Sequence, residues 1–183
     1  MQILDWASLS TEQQRQTLAR SPLVGDASVE QGVRNIIEQV NAQGDSALLA
    51  YNKQFDGVEL TELALSTDAI AAACARVGDD VKQAVAQAVN NIETFHKAQV
   101  FQGVDIETQA GIRCELRSEP IERVGLYIPG GTAPLISTVM MLALPARIAG
   151  CGKRVLVSPP PINDAIIYAA NVCGITDIFQ VGG

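Results

Sequence analysis

Residues 124–183 read VGLYIPGGTAPLISTVMMLALPARIAGCGKRVLVSPPPINDAIIYAANVCGITDIFQVGG, and the order of apolar runs and breakers in this stretch decides the fold. Residues 124–128 form a short apolar run closed by a Pro-Gly-Gly turn, the pattern of a buried strand. Residues 136–149 are long enough for a helix, and residues 154–158 are strand-like again. Residues 162–173 predict a helix stopped by Gly174, and residues 177–181 a last strand. The order β-α-β-α-β predicts parallel strands with right-handed crossovers.

Upstream, the chain is mostly helical. Ser10 with Gln13 three residues later fits a capping box opening a helix that runs to about Arg20, with Pro22 and Gly25 ending it. Its apolar face is thin, so it needs another surface to lie on. Over residues 28–43, Val29, Val33, Ile36, Ile37 and Val40 share one face of a 3.6-residue period, with Gly44 closing the helix. Asp45 is placed to cap the next helix, which ends at Asp56-Gly57. Residues 60–65 alternate weakly as a short strand, and Thr67 or Asp68 caps a small alanine-rich helix to about Val77. Gly78-Asp79 opens the longest helix, to about Val100, with Val81, Val85, Ala88, Ile92 and Phe95 on its apolar face. Residues 104–108 and 112–116 flank Ala110-Gly111 as a two-stranded ribbon, and Pro120 closes it. The expected organisation is an N-terminal helical arm over residues 1–22, a helical and β first domain over 23–120, and a parallel α/β domain over 121–183.

Composition bounds the function. Hydrophobic residues make up 48% of the 183, enough to build a core, while the net charge of −7 and the lack of a Lys/Arg cluster argue against a nucleic-acid partner. The longest apolar stretch, residues 135–149, is short and interrupted by Ser137, Thr138, Pro145 and Arg147, so no membrane span is expected. Cys74, Cys114, Cys151 and Cys173 form no C-x-x-C pair, and the start has no secretory pattern; reduced thiols in a cytoplasm are expected.

A parallel open sheet binds ligands beyond the carboxyl ends of its strands. Two loops lie there, Tyr127 to Pro134 and Ser158 to Pro161, and a third begins at Gly182-Gly183. Paired glycines let backbone approach a ligand closely, and the following helix start can hold an anion. Yet the loop is neither G-x-G-x-x-G nor a Walker A, so a ligand loop and a plain strand-to-helix turn both stay open on these grounds. The triple proline is likewise either a rigid turn or the rim of a nucleotide cleft. Other tempting residues read more plainly. His96, at the edge of an apolar helix face, is a structural or solvated histidine. Cys114 and Cys151 lack the setting of a nucleophile. Asp79-Asp80 suits a helix start, and Glu119 and Glu122 flank Pro120 without an acid–base partner.

Residues 124–134, with Tyr127-Ile128-Pro129-Gly130-Gly131 at their centre, resemble the signature segment of histidinol dehydrogenases. The likeness continues through Ser137 to Ala146, Ala149-Gly150-Cys151 and Val157 to Pro161, and upstream through Asn91 to His96 and Ile112-Arg113-Cys114. It spans essentially all 183 residues.

The resemblance implies an aldehyde-dehydrogenase-like fold with Rossmann-like domains, truncated here, and an enzyme that oxidises L-histidinol to L-histidine through a bound aldehyde. It implies NAD and zinc as cofactors and an interlocked homodimer. It makes Tyr127 an NAD contact, with Pro129, Gly130 and Gly131 as neighbours. The family's zinc ligands, its catalytic Glu-His pair and most substrate contacts are expected beyond residue 183, so this stretch alone is expected to be inactive and, with uncovered edges and helix faces, sticky or oligomeric. The alternatives are another aldehyde-dehydrogenase-like reductase, which needs a nucleophilic cysteine after residue 183, and a non-catalytic nucleotide-binding or dimerisation module.

Overall fold

In a computed structural model of the chain, residues 4–19, 27–131 and 133–182 are described. The helix end expected at Arg20, Pro22 and Gly25, Thr132 of the glycine loop, and Gly183 lie outside them. The chain divides into two compact units, Met1–Ala42 and Gln43–Gly183.

The first unit holds a single 3₁₀ turn, Trp6–Ser8, helix α1 (Thr11–Leu18) and nearly all of helix α2 (Ala27–Gln43). The capping box forms: Ser10 Oγ accepts from the Gln13 amide, and Gln13 Oε1 accepts from the Ser10 amide at 2.9 Å. Neither helix has a buried residue, and Val29, Val33 and Ile37 of the α2 stripe stand exposed.

The second unit is built around a three-stranded parallel sheet. Strand β3 (Arg123–Tyr127) pairs with β4 (Lys153–Ser158), and β4 with β5 (Asp177–Gln180), so β4 is central. Helix α6 (Ile136–Ile148) joins β3 to β4, and helix α7 (Asp164–Val172) joins β4 to β5. The β-α-β-α-β order and parallel sense follow the expectation, with boundaries moved by a residue or two.

Helices precede the sheet: α3 (Asp45–Tyr51), continued by a π-helical turn at Asn52–Asp56, then α4 (Thr67–Arg76) and α5 (Asp79–Lys97). α4 packs on α7 and α5 on α6. Their apolar faces therefore join one core with the sheet: Ile70, Ala73 and Val85 cluster with Leu126, Ile128, Val139, Leu144, Leu156, Ile167 and Ile178. Each such large side chain stabilises by about 1.5–3 kcal/mol before entropy is subtracted. The ribbon of β1 (Val104–Gln109) and β2 (Ile112–Leu116) is antiparallel and exposed on every residue.

Several local expectations need correction. Ser66, not Thr67 or Asp68, caps α4, because its hydroxyl accepts from the Ala69 amide at 3.1 Å. Gly44 rather than Asp45 holds the cap position of α3; its φ of 60° suits glycine, and Asp45 falls in the first turn. Phe95 shares the periodic face of α5 but stands outside the core, 61% exposed. Residues 60–65 form no full strand. Instead Ala64 makes a single antiparallel bridge with Phe179, Leu65 donates to the Ile178 carbonyl at 2.9 Å, and Gln180 donates to the Leu63 carbonyl at 2.8 Å. The outer edge of β5 is thereby covered by its own chain.

The same edge is fastened by Asn52. This side chain is 1% exposed; Nδ2 donates to the Gln180 carbonyl at 2.8 Å, and Oδ1 accepts from the Gly182 amide at 3.4 Å. Asn52→Ala leaves a buried carbonyl unsatisfied, an effect of about 1–3 kcal/mol. The expected outcome is a lower denaturant midpoint with an unchanged slope; a midpoint equal to wild type contradicts it.

Candidate functional site

Parallel strands bring their carboxyl ends to one edge of the sheet. Beyond β3, pairing continues for one residue: the Ile128 amide donates to the Val157 carbonyl at 2.8 Å, and Ile128 is fully buried. This pins the base of the Pro129-Gly130-Gly131 loop. Beyond β4, Ser158 is held in the sheet, its carbonyl accepting from the Val181 amide at 2.9 Å. Pro159, Pro160 and Pro161 then lead into α7.

The two loops face one another. A Cβ placed on Gly130 would lie 3.3 Å from Pro159 Cγ, so only glycine leaves this approach unstrained. Between them lies a cavity of about 450 Å³, lined on one side by Pro129, Gly130 and Gly131 and on the other by Ser158, Asn163 and Asp164 among others. That size lies in the range of small-molecule sites, about 300–1,000 Å³. Of the residues singled out as cofactor contacts, Pro129, Gly130 and Gly131 line this cavity. Tyr127 sits at the end of β3 with its side chain exposed, and does not line it.

Ser158 belongs to the second loop read from the sequence, whereas Asn163 and Asp164 went unnoticed there. Asn163 caps α7, with Oδ1 accepting from the Ala165 amide at 2.9 Å. Asp164 follows in the first helical turn, where its negative charge suits the helix dipole. Arg76 of α4 grips its carboxylate twice, Nε and Nη2 each donating at 2.7 Å. This hydrogen bonding holds the Asp164 carboxyl below the ordinary aspartate value, against a smaller opposing effect of burial. Ser158 is the one other polar side chain buried in the core besides Asn52, at 2% exposure among the described residues. An Asn-Asp pair before an apolar run was a readable cap signal; the Arg76 partner, 88 positions away, was not.

The remaining candidates stay apart from this edge. His96 lies in the last turn of α5, half-buried, its ring edge-on to Phe95 with centroids 5.5 Å apart. Cys114 is exposed on the ribbon and Cys151 is buried in the turn before β4. Cys173 is buried in the core, and burial pushes its thiol up to about 11, well away from a thiolate nucleophile at neutral pH. Asp79 and Asp80 occupy the first turn of α5. Among the described residues, no group of three or more His, Cys, Asp or Glu side chains gathers to hold a metal.

A parallel α/β unit with a glycine-lined cavity at the carboxyl ends of its strands belongs to the open-sheet α/β proteins, whose ligand sites lie at that edge. Within that class, the sequence match is specific: the histidinol dehydrogenase family model covers residues 20–183, and the chain belongs to that family. A histidinol dehydrogenase of Shewanella oneidensis is 61% identical over 191 residues, covering 100% of this chain and 44% of that protein. One of Escherichia coli K12 is 54% identical over 181 residues, covering 99% of this chain and 42% of its own length. The crystal structure of histidinol dehydrogenase from Elizabethkingia anophelis superposes with a TM-score of 0.82 at 44% identity, over 85% of this chain and 37% of that one. The chain therefore spans less than half the length of the curated relatives it matches, and corresponds to their N-terminal part.

The lowered Asp164 carboxyl has a pH consequence. A carboxyl depressed on folding adds stability above its unfolded value, about 3.9, and loses it as pH falls through the folded value. The expected outcome is that wild type exceeds Asp164→Asn in melting temperature at pH 6, and that the gap closes progressively below pH ~4. A gap that is constant with pH contradicts this.

Proposed function

We propose that this chain is the NAD-side part of an enzyme that oxidises L-histidinol to L-histidine. The carrying observation is the cavity between the Pro129-Gly130-Gly131 loop and the Ser158–Asp164 segment, in a chain of this family. NAD supplies the hydride acceptor when bound. The chain's own contribution is to hold the dinucleotide against glycine backbone that has no side chain to obstruct it.

In this reading Tyr127, Pro129, Gly130 and Gly131 contact the cofactor, with residues 121–183 as the cofactor-side domain. Tyr127 stands exposed at the end of β3 and does not itself line the cavity. Zinc, the proton-handling residues and most substrate contacts belong to sequence outside these 183 residues, so no step of the oxidation is assigned to a side chain here. The reading includes a homodimer, consistent with the apolar face on α2 and the uncovered ribbon. It includes a cytoplasmic location, consistent with four free cysteines, two of them buried.

Two measurements test it. Incubated with L-histidinol, NAD and zinc, the 183-residue chain is expected to form no NADH; absorbance growth at the NADH band overturns the division of labour proposed here. In equilibrium titration the same chain is expected to bind NAD, and Tyr127→Ala to weaken that binding about tenfold, the equivalent of ~1.4 kcal/mol. Equal affinity in the variant removes Tyr127 from the cofactor site.

A further inference from the structure

The β1–β2 ribbon sorts its side chains by face. Its register sets Val104 opposite Leu116 and Ile106 opposite Cys114 on one face, and Asp105 opposite Glu115 and Glu107 opposite Arg113 on the other. Val104, Ile106, Ile112 and Leu116 are between 44% and 58% exposed, so the apolar face lies open. Among the described residues no third strand pairs with either edge. A two-stranded ribbon is marginal in water, and an open edge is a template for another strand.

The two edges differ in what they can accept. β2 reads Ile112-Arg113-Cys114-Glu115-Leu116: apolar ends, a cation and an anion about a central cysteine. Two such strands, antiparallel about a two-fold axis at Cys114, set Ile112 opposite Leu116 of the second copy and Arg113 opposite its Glu115. The symmetry makes each of these pairs twice and sets Cys114 opposite Cys114. Moving the axis to Arg113 or to Glu115 sets like charges opposite, and moving it by half a residue sets charged side chains against apolar ones. β1 has no such solution near its centre. Asp105 and Glu107 are both acidic, so an axis at Asp105, Ile106 or Glu107 sets carboxylate opposite carboxylate. Arg113 has the capacity for a second anion. It is 69% exposed and spends two guanidinium N–H groups on Asp105, leaving three of its five donors.

We propose that two copies of this chain pair antiparallel along β2, with the two-fold axis at Cys114, to make one four-stranded sheet in the order β1-β2-β2-β1. This deepens the homodimer reading above and rests on it. The pairing satisfies the outer backbone edge of β2 and brings the apolar side chains of two ribbons side by side. It also places the Cys114 thiols within reach of each other. Directly opposite residues in an antiparallel pair have Cα atoms about 4.5–5.5 Å apart, inside the roughly 4.4–6.8 Å that a disulfide spans.

The test uses sedimentation equilibrium and thiol cross-linking of the 183-residue chain. Wild type is expected to dimerise. Arg113→Glu and Glu115→Arg are each expected to raise the dimer dissociation constant at least about tenfold, because each sets like charges opposite twice per dimer. The double variant carrying both substitutions restores opposite charges in the same register, and is expected to recover most of the wild-type affinity. Diamide, which takes up the two thiol hydrogens, is expected to link wild type through Cys114, and Cys114→Ser to abolish the covalent dimer. Melting curves of the single variants separate a lost interface from a lost fold: the dissociation constant moves while the monomer still melts cooperatively. A dimer indifferent to both charge reversals, or a double variant weaker than either single one, overturns the β2 pairing and leaves the homodimer reading standing. A wild-type chain that stays monomeric overturns both.

Discussion

Strand β4 is hydrogen-bonded on both sides, to β3 and to β5, and the rest of the second unit takes its position from that pairing. Because both ladders are parallel, the chain must cross back between strands, which places α6 against the sheet and α7 against α6, with α7 side chains sharing the sheet's core cluster. The same parallel sense puts the loops after β3 and β4 at one edge. The cavity is thus a consequence of strand direction before it is a consequence of any particular side chain. Leu156, fully buried in the middle of β4, anchors the core at the same point.

The helices before the sheet are part of that arrangement. α4 and α5 cover α7 and α6, and ion pairs mark both contacts: Arg76 with Asp164, and Arg147 with Glu93 at 3.1 Å. Glu93 also accepts from Lys97, and these cations hold its carboxyl below the ordinary range. Exposed pairs of this kind contribute little stability. Their larger effect is geometric, and at Asp164 the geometry fixed is the rim of the cavity.

Much of this was legible in the sequence because its signals are local. Strand length, the Pro-Gly-Gly break, Gly174 after an apolar helix and the Ser10/Gln13 capping box all act over a few residues. What escaped depends on partners distant in the chain. Residues 63–65 have too little alternation to specify a strand, and become extended by bonding to β5. Asn52 is an ordinary polar residue in a helical pattern until Gln180, 128 positions on, supplies its acceptor. Phe95 has the right period, but period reports which side of a helix a residue takes, not whether anything lies against it. In the site, the glycine loop was readable from its breakers, whereas Ser158 and the Arg76–Asp164 pair gain meaning only when the two walls are brought together.

Under the proposed function, the carboxyl edge of the β3–β4–β5 sheet is a dinucleotide site. Amide chemical-shift mapping of the 183-residue chain during addition of NAD tests it most directly. The account predicts shifts concentrated at residues 127–131 and 158–164, with the β1–β2 ribbon and α2 unmoved. Shifts centred on the ribbon or on α2, with the carboxyl edge silent, would contradict it.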